Sequence, residues 1–175
     1  REAGCRAMRR GETHYTHSLG LLELREAICD HYFDKYNVRI SPDQVLVTSG
    51  TSPAMLVLFA TILNAGDQII ISDPHYACYP NFIRLFEGIP VNVNVYEEEG
   101  FQYTSEAIKE KINPSTKGIM INSPSNPTGN LLSPKRMAEI ASLGVPVISD
   151  EIYHGLVYEE KEHSILEFTD NAFVF

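Results

Sequence analysis

Apolar residues recur along this chain in two rhythms, one typical of helices and one typical of buried strands. Leu21, Leu24, Ile28 and Tyr32 are spaced as on one face of a helix. Short uninterrupted apolar runs predict strands over residues 45–47, 69–71, 91–95, 119–121, 145–148 and 173–175. Between these runs, helices are predicted over residues 52–62, 76–86, 104–112 and 133–143. Ser52 and Ser133, each followed by proline, are expected to cap the first and the last of these helices.

The alternation of these elements predicts an α/β fold. Strands made of continuous apolar, β-branched residues are buried on both faces, which is typical of a parallel sheet. We therefore expect a mostly parallel sheet with helices on both faces, in three layers. Ligands of such sheets bind beyond the carboxyl ends of the strands. Functional residues are thus expected in the loops that follow the strands, at residues 49–52, 72–76, 122–129 and 150–153.

The charge and the cysteines narrow the possible partners. The 175 residues include 14 Lys and Arg against 23 Asp and Glu, a formal net charge of −9. Without a basic run, this balance argues against nucleic acid or an anionic membrane as the main partner. No apolar run has the length of a membrane span. Three dispersed cysteines without metal-ligand spacing favour a reduced, cytoplasmic protein that holds no metal.

Common short motifs do not explain the loops. Asp150 and Glu151 at a strand end are typical of a P-loop ATPase, but no glycine of the chain is followed by lysine. The patterns GxGxxG, GxSxG and HExxH are also absent. His14 and His17 lack a third ligand in the sequence around them, so a polar surface is the more common explanation.

Several loop residues remain as candidates for chemistry. Ser49, Gly50 and Thr51 lie between a predicted strand and a predicted helix, where free amides and hydroxyls could bind a phosphate. A plain capped turn would have the same sequence. Asp150 follows an apolar strand, and a buried carboxylate there needs a partner such as a cationic ligand nitrogen. A helix-capping aspartate is the alternative.

The other candidates are an amide and two aromatic rings. Asn126 lies in a loop made rigid by two prolines and a glycine, although a simple turn would look alike. Tyr76, at the start of a predicted helix, can stack on a flat ligand or pack in the core. Tyr153 lies three residues after Asp150 and can face the same pocket if the segment turns helically.

Four segments occur in order: Val-Thr-Ser-Gly-Thr at 47–51, Asp-Pro-His-Tyr at 73–76, Asn-Ser-Pro-Ser-Asn-Pro-Thr-Gly at 122–129 and Ser-Asp-Glu-Ile-Tyr at 149–153. Together they resemble the large domain of fold-type-I pyridoxal-phosphate enzymes, specifically the class I/II aminotransferases of the aspartate aminotransferase superfamily. The resemblance extends from about residue 15 to the end. It implies pyridoxal 5'-phosphate as cofactor, an amino acid and a 2-oxo acid as substrates, and a homodimer.

The resemblance also implies roles for individual residues. Asp150 would pair with the nitrogen of the pyridine ring, and Tyr76 would stack on that ring. Asn126 and Tyr153 would share the phenolic oxygen of the cofactor. Ser49, Gly50 and Thr51 would form the turn that binds the phosphate group. Tyr15 would reach the phosphate of the partner subunit's cofactor.

The resemblance stops short of a complete enzyme. In the family, the lysine that binds the cofactor covalently follows the strand that corresponds to residues 172–175, and none of the lysines present fits its pattern. The C-terminal small domain is also absent from the chain. We therefore expect residues 1–175 to be a partial large domain, with a lead-in helical region at about residues 1–14, and to be inactive alone.

Other readings of the same residues stay open at this point. Carbon–sulfur β-lyases, decarboxylases and aminocyclopropane-carboxylate synthases have much the same cofactor residues. Ser-Asp-Glu-Ile-Tyr-His at 149–154 favours an aminotransferase among them. A cofactor-sensing, aminotransferase-like domain of a transcriptional regulator is a further alternative, as is a doubly wound domain that binds another phosphate ligand.

Overall fold

The backbone of residues 1–175, described by a computed structural model, forms six α-helices and five strands. The helices are α1 (Glu2–Arg9), α2 (Leu22–Tyr36), α3 (Thr51–Ile62), α4 (Tyr79–Leu85), α5 (Ser105–Lys109) and α6 (Pro134–Ala141). The strands are β1 (Gln68–Asp73), β2 (Ile89–Asn94), β3 (Thr116–Asn122), β4 (Val147–Asp150) and β5 (Ala172–Val174). By their contacts the residues form two units, 1–48 and 49–175. One partial large domain over residues 1–175 stays a prediction.

The first unit contains α1 and α2 and has no strand. Helix α2 includes the predicted apolar spacing and ends at Asn37, whose left-handed backbone (φ 57°) terminates the helix. The side chain of Arg25 is buried and donates a hydrogen bond of 2.7 Å to the carbonyl oxygen of Pro42. This bond fastens the short 3₁₀ turn Pro42–Gln44 to α2.

The strand predicted over residues 45–47 is not observed, and that prediction is wrong. Val45 is extended (φ −105°, ψ 122°), and the Val47 amide donates a hydrogen bond of 2.9 Å to the carbonyl oxygen of Leu19. The five-stranded sheet, however, does not include this segment. A strand requires repeated pairing with a neighbour, which one such bond does not provide.

The second unit contains all five strands in one parallel sheet, in the order β2-β1-β3-β4-β5. Successive side chains on β1 and β3 enter different cores: Ile70 and Ile119 pack on the side of α5 and α6, whereas Ile69 and Met120 pack on the side of α3 and α4. The sheet is therefore covered by helices on both faces. This confirms the predicted three-layer α/β fold.

Glycine replaces a side chain in the centre of this sheet. A Cβ atom at Gly118 of β3 would lie 2.9 Å from Cδ1 of Ile148 and 3.3 Å from Cδ1 of Ile69. Ile148 and Ile69 belong to β4 and β1, the strands on either side of β3. The two isoleucines thus fill the space above the glycine.

Most predicted helices are present, with shifted starts. Helix α3 is capped by Gly50 and begins at Thr51, so the predicted cap at Ser52 is wrong. Ser133 does cap α6: its Oγ accepts a hydrogen bond of 3.3 Å from the Arg136 amide. Helix α4 begins at residue 79 rather than 76, with Pro80 in its first turn, a position where a missing amide proton costs nothing.

The strand order fixes where a ligand can bind. The chain proceeds outward from β1 to β2 on one side and from β3 to β5 on the other, so the direction changes between β1 and β3. A crevice at the carboxyl edge of such a sheet, at the point of change, is the common ligand site of open α/β folds. The loops after β1, β3 and β4 border this edge. No helix is both long and apolar enough to span a membrane.

Candidate functional site

Asp150 is the last residue of β4 and the most constrained of the predicted site residues. Only 4% of its surface is exposed. Its Oδ2 accepts a hydrogen bond of 2.7 Å from the Tyr79 hydroxyl, and its Oδ1 accepts one of 3.3 Å from the Ile152 amide. Burial raises the pKa of Asp150, and these two donors offset part of that effect. No lysine or arginine forms an ion pair with Asp150, so a cation at this carboxylate must come from elsewhere.

Tyr79 is a site residue that the sequence analysis did not identify. It is the first residue of α4 and is 3% exposed. Burial, followed by the nearby charge of Asp150, raises the pKa of Tyr79 far above its usual range, so the hydroxyl keeps its proton and donates. Tyr79 lies three residues after Tyr76, which is one helical turn, and this spacing is the signal that could have found it.

Tyr76 lies just before α4, in the loop that follows β1, and is half-buried. Its ring packs edge-on against the ring of Tyr79, with 5.3 Å between the ring centroids and 79° between the planes. A hydrogen bond with Cys78 raises the pKa of Tyr76, and nearby Tyr153 and Asp150 raise it further. Tyr76 thus lies near enough to Tyr153 and Asp150 for both to act electrostatically on its hydroxyl.

Asn126 lies in the loop after β3, and hydrogen bonds within that loop hold it in place. The Asn126 amide donates a bond of 2.6 Å to Oδ1 of Asn122. The Ser125 amide donates to the carbonyl oxygen of Asn130 at 2.9 Å, and the Gly129 amide donates to that of Ser125 at 2.8 Å. The side chains of Thr128 and Asn130 also share a hydrogen bond. This loop is therefore fixed by its own polar groups.

Asn126 and Tyr153 line the same cavity, which has a volume of about 340 Å³. The remaining lining residues are mostly apolar or small and come from the same two loops: Pro124, Ser125, Pro127, Gly129 and Leu156. The loops after β3 and β4 therefore each contribute one polar candidate to a mostly apolar space, whereas Asp150 and Tyr76 do not line it.

The turn at Gly50, which precedes α3, is a second candidate binding feature of this unit. The Gly50 backbone (φ 112°, ψ 174°) is one that residues with a Cβ rarely adopt, and a Cβ placed there would meet nothing within 4 Å. No side chain caps the twelve-residue helix α3 that follows. Amides at the start of α3, next to the hydroxyls of exposed Ser49 and half-buried Thr51, therefore suit an anion such as a phosphate.

Tyr15 belongs to the first unit, and its side chain is fully exposed. No contact in the structure tests the role that the resemblance gives it, so that role stays a prediction. The same unit contains His14 and His17, and no group of three or more metal-ligating side chains forms anywhere in the chain.

Glu151, next to Asp150, is buried in a separate polar cluster. Its Oε1 accepts hydrogen bonds from the Ser149 hydroxyl (2.9 Å), the Ser164 hydroxyl (3.2 Å) and the Ile165 amide (3.0 Å). Its Oε2 lies 3.5 Å from Nδ1 of His154. Burial raises the pKa of Glu151 to about 7, and these donors reduce the effect. The cluster fastens the turn that contains Tyr153 to the segment around residue 165.

Comparison with known proteins places the chain among aminotransferases. The family described as aminotransferase class I and II matches residues 1–174. The (5-formylfuran-3-yl)methyl phosphate transaminase of Methanocaldococcus jannaschii is 42% identical over 97% of this chain and 44% of its own length. A probable aspartate/prephenate aminotransferase of Aquifex aeolicus is 38% identical over 98% of this chain and 45% of its own.

Solved structures agree with these relatives. The aspartate aminotransferase of Thermus thermophilus with maleate superposes with a TM-score of 0.93 at 33% identity, over 99% of this chain and 47% of that chain. The alanine aminotransferase of Pyrococcus furiosus gives 0.91 at 37% identity, over 99% of this chain and 45% of that chain. The chain spans a little less than half the length of these proteins, and it belongs to the class I and II aminotransferase family.

Proposed function

We propose that this chain forms the cofactor-binding part of a pyridoxal 5'-phosphate-dependent aminotransferase, which transfers an amino group between an amino acid and a 2-oxo acid. The observation that carries the proposal is Asp150: a carboxylate at the carboxyl edge of the sheet, 4% exposed, with a hydroxyl donor and no cationic partner. A buried carboxylate is costly unless an opposite charge accompanies it. The protonated nitrogen of a pyridine ring would supply that charge.

The arrangement around Asp150 fits the rest of the cofactor. Asn126 and Tyr153, which share a cavity, offer an amide and a hydroxyl to a phenolic oxygen. The ring of Tyr76, close to both Tyr153 and Asp150, offers a flat surface. Gly50 and the start of α3, which no side chain caps, suit the phosphate. We therefore assign cofactor binding to Ser49, Gly50, Thr51, Tyr76, Asn126, Asp150 and Tyr153.

Each of these side chains would contribute to the reaction by holding a group in place. When bound, the cofactor supplies an electron-withdrawing ring for the carbanion at the α-carbon of the substrate. Asp150 would hold a proton on the ring nitrogen, because an ionised carboxylate in a desolvated site strongly favours a cation beside it. Tyr79 would keep Asp150 oriented and ionised by donating to Oδ2. Fixing the ring relative to the reacting bond is a large part of such catalysis.

The proposal includes a homodimer in the cytoplasm. The full exposure of Tyr15 supports a role at a site outside its own unit, such as the phosphate of a partner subunit's cofactor. The similar proteins are named for aspartate, prephenate, alanine and a furan phosphate, which are chemically different. We therefore propose the class of reaction and not one amino donor.

The proposal is tested by cofactor binding to the complete protein that contains this chain. Pyridoxal 5'-phosphate is titrated into the protein while visible absorbance is recorded. Asp150→Ala is expected to weaken binding by about a hundredfold or more, the effect of removing one partner of a buried charge pair. Asp170→Ala, which removes an exposed carboxylate near β5, is the matched control and should bind as the wild type does. A wild-type protein that binds no cofactor, or an Asp150→Ala protein with unchanged affinity, would refute the proposal.

A further inference from the structure

Asn122 connects two of the proposed cofactor-binding residues through a single side-chain amide. It is the last residue of β3 and pairs in register with Asp150, the last residue of β4. Its Nδ2 donates a hydrogen bond of 2.8 Å to the carbonyl oxygen of Asp150. Its Oδ1 accepts a hydrogen bond of 2.6 Å from the amide of Asn126. Both polar atoms of the side chain are thus used by backbone groups of two residues that would bind different atoms of one ring.

The surroundings of Asn122 make this connection specific. The carbonyl oxygen of Asp150 also accepts a hydrogen bond of 3.2 Å from the Ser123 amide. The hydroxyl of buried Ser123 accepts one of 3.0 Å from the Leu132 amide, which ties down the far end of the loop. The primary amide of Asn122 offers a donor and an acceptor at the end of one short side chain. Aspartate would lose the donor, and alanine would lose both groups.

We propose that Asn122 is a positioning residue of the cofactor site, which sets the distance between Asp150 and Asn126 and acts on the cofactor through them. The inference rests on the proposed function. Since the ring nitrogen and the phenolic oxygen lie at fixed positions on one rigid ring, the residues that bind them must keep a fixed separation. Loss of either bond loosens the connection between Asn126 and the end of β4, although the Ser123 amide still holds the Asp150 carbonyl oxygen, and the two contacts then form together less often.

Cofactor affinity of the complete protein, measured by titration with pyridoxal 5'-phosphate, tests the proposal. We expect Asn122→Ala to bind about tenfold more weakly, since both partly buried hydrogen bonds of the side chain are lost. Asn122→Asp keeps the acceptor and the shape, so it serves if the alanine variant fails to fold, and it should also bind several-fold more weakly. Asn94→Ala is the matched control, because Asn94 ends β2 in the same way but bonds only to exposed Tyr96 (3.4 Å).

A double-variant comparison separates positioning from a general loss of structure. Asn122→Ala is also made in an Asn126→Ala background, where one of its two targets no longer contacts the cofactor. Residues of one network are not additive, so the loss there should fall to about threefold or less. Equal losses in both backgrounds, or full affinity of Asn122→Ala or Asn122→Asp, would overturn the inference. A wild-type protein without cofactor affinity would instead refute the proposed function.

Discussion

The buried carboxyl of Glu151 predicts a specific dependence of stability on pH. Its pKa is 4.5 in a solvated chain and about 7 in the folded protein, because burial disfavours the charged form. Between pH 4.5 and 7 the unfolded chain therefore releases this proton while the folded protein keeps it. The free energy of unfolding must fall over that range, and the contribution of this proton is lost above it. At about 1.4 kcal/mol per tenfold change in proton affinity, the fall is about 3 kcal/mol.

Glu151→Gln isolates this effect, because glutamine has the shape of the protonated acid and does not titrate. Its carbonyl oxygen can still accept from Ser149, Ser164 and Ile165, and its amide can face Nδ1 of His154. The charge of Glu167, which also acts on Glu151, is retained in both proteins. The difference in free energy of unfolding, variant minus wild type, should therefore rise by about 3 kcal/mol from pH 4.5 to pH 8. Urea unfolding followed by circular dichroism at several pH values measures it.

The matched control for this experiment is Glu106→Gln. Hydrogen bonds with backbone and Ser105 lower the pKa of exposed Glu106, so its contribution to stability is present at high pH and is lost on acidification. The variant-minus-wild-type difference should therefore move in the opposite direction with pH and be flat above pH 5. If the Glu151→Gln difference were also flat between pH 5 and 8, burial would not govern the titration of Glu151.

Two further variants test the site and the turn before α3. Tyr79→Phe removes the hydroxyl that donates to Asp150 and should weaken binding of pyridoxal 5'-phosphate about tenfold or more. Tyr103→Phe is the control and should not weaken binding, because the buried Tyr103 hydroxyl bonds instead to the Met120 carbonyl oxygen at 3.0 Å. Equal affinities of the two variants would contradict the role of Tyr79. Gly50→Ala should lower the free energy of unfolding by about 1–3 kcal/mol through backbone strain alone. Gly4→Ala within α1 is the control and should not lower it. Urea unfolding compares the two variants, and equal stabilities would show that the backbone at Gly50 is not strained.

The fold could be predicted from the sequence because its signals are local. Runs such as 69–71 and 119–121 are apolar on both faces, and a sheet covered by helices on both sides buries both faces of such strands. The same reasoning was wrong at residues 45–47, since an apolar run does not reveal whether a neighbouring strand is there to pair with it. The predicted cap at Ser52 was also wrong: Gly50, with its positive φ, is the cap, so α3 begins two residues earlier.

The candidate site was predicted in part. Asp150 ends a strand, whereas Asn126, Tyr153 and Tyr76 lie in loops after strands, and parallel strands bring such loops to one edge. Tyr79 escaped prediction because its contact with Asp150 joins residues 71 positions apart and depends on where α4 begins. The roles of Asn122 and Glu151 depend on hydrogen bonds between separate segments, and for these two residues no spacing in the sequence indicates the partners.

Gly118 has a consequence for the tolerance of the sheet to change. Because β3 contributes no side chain there, the side chains of Ile69 and Ile148, from the strands on either side of β3, occupy the space above its backbone. The side chains at these three positions thus fill one common volume, so a larger residue at one position requires a smaller residue at another. Substitutions at positions 69, 118 and 148 should therefore occur together rather than one at a time. This coupling is expected although β1 and β4, which contain the two isoleucines, exchange no backbone hydrogen bonds.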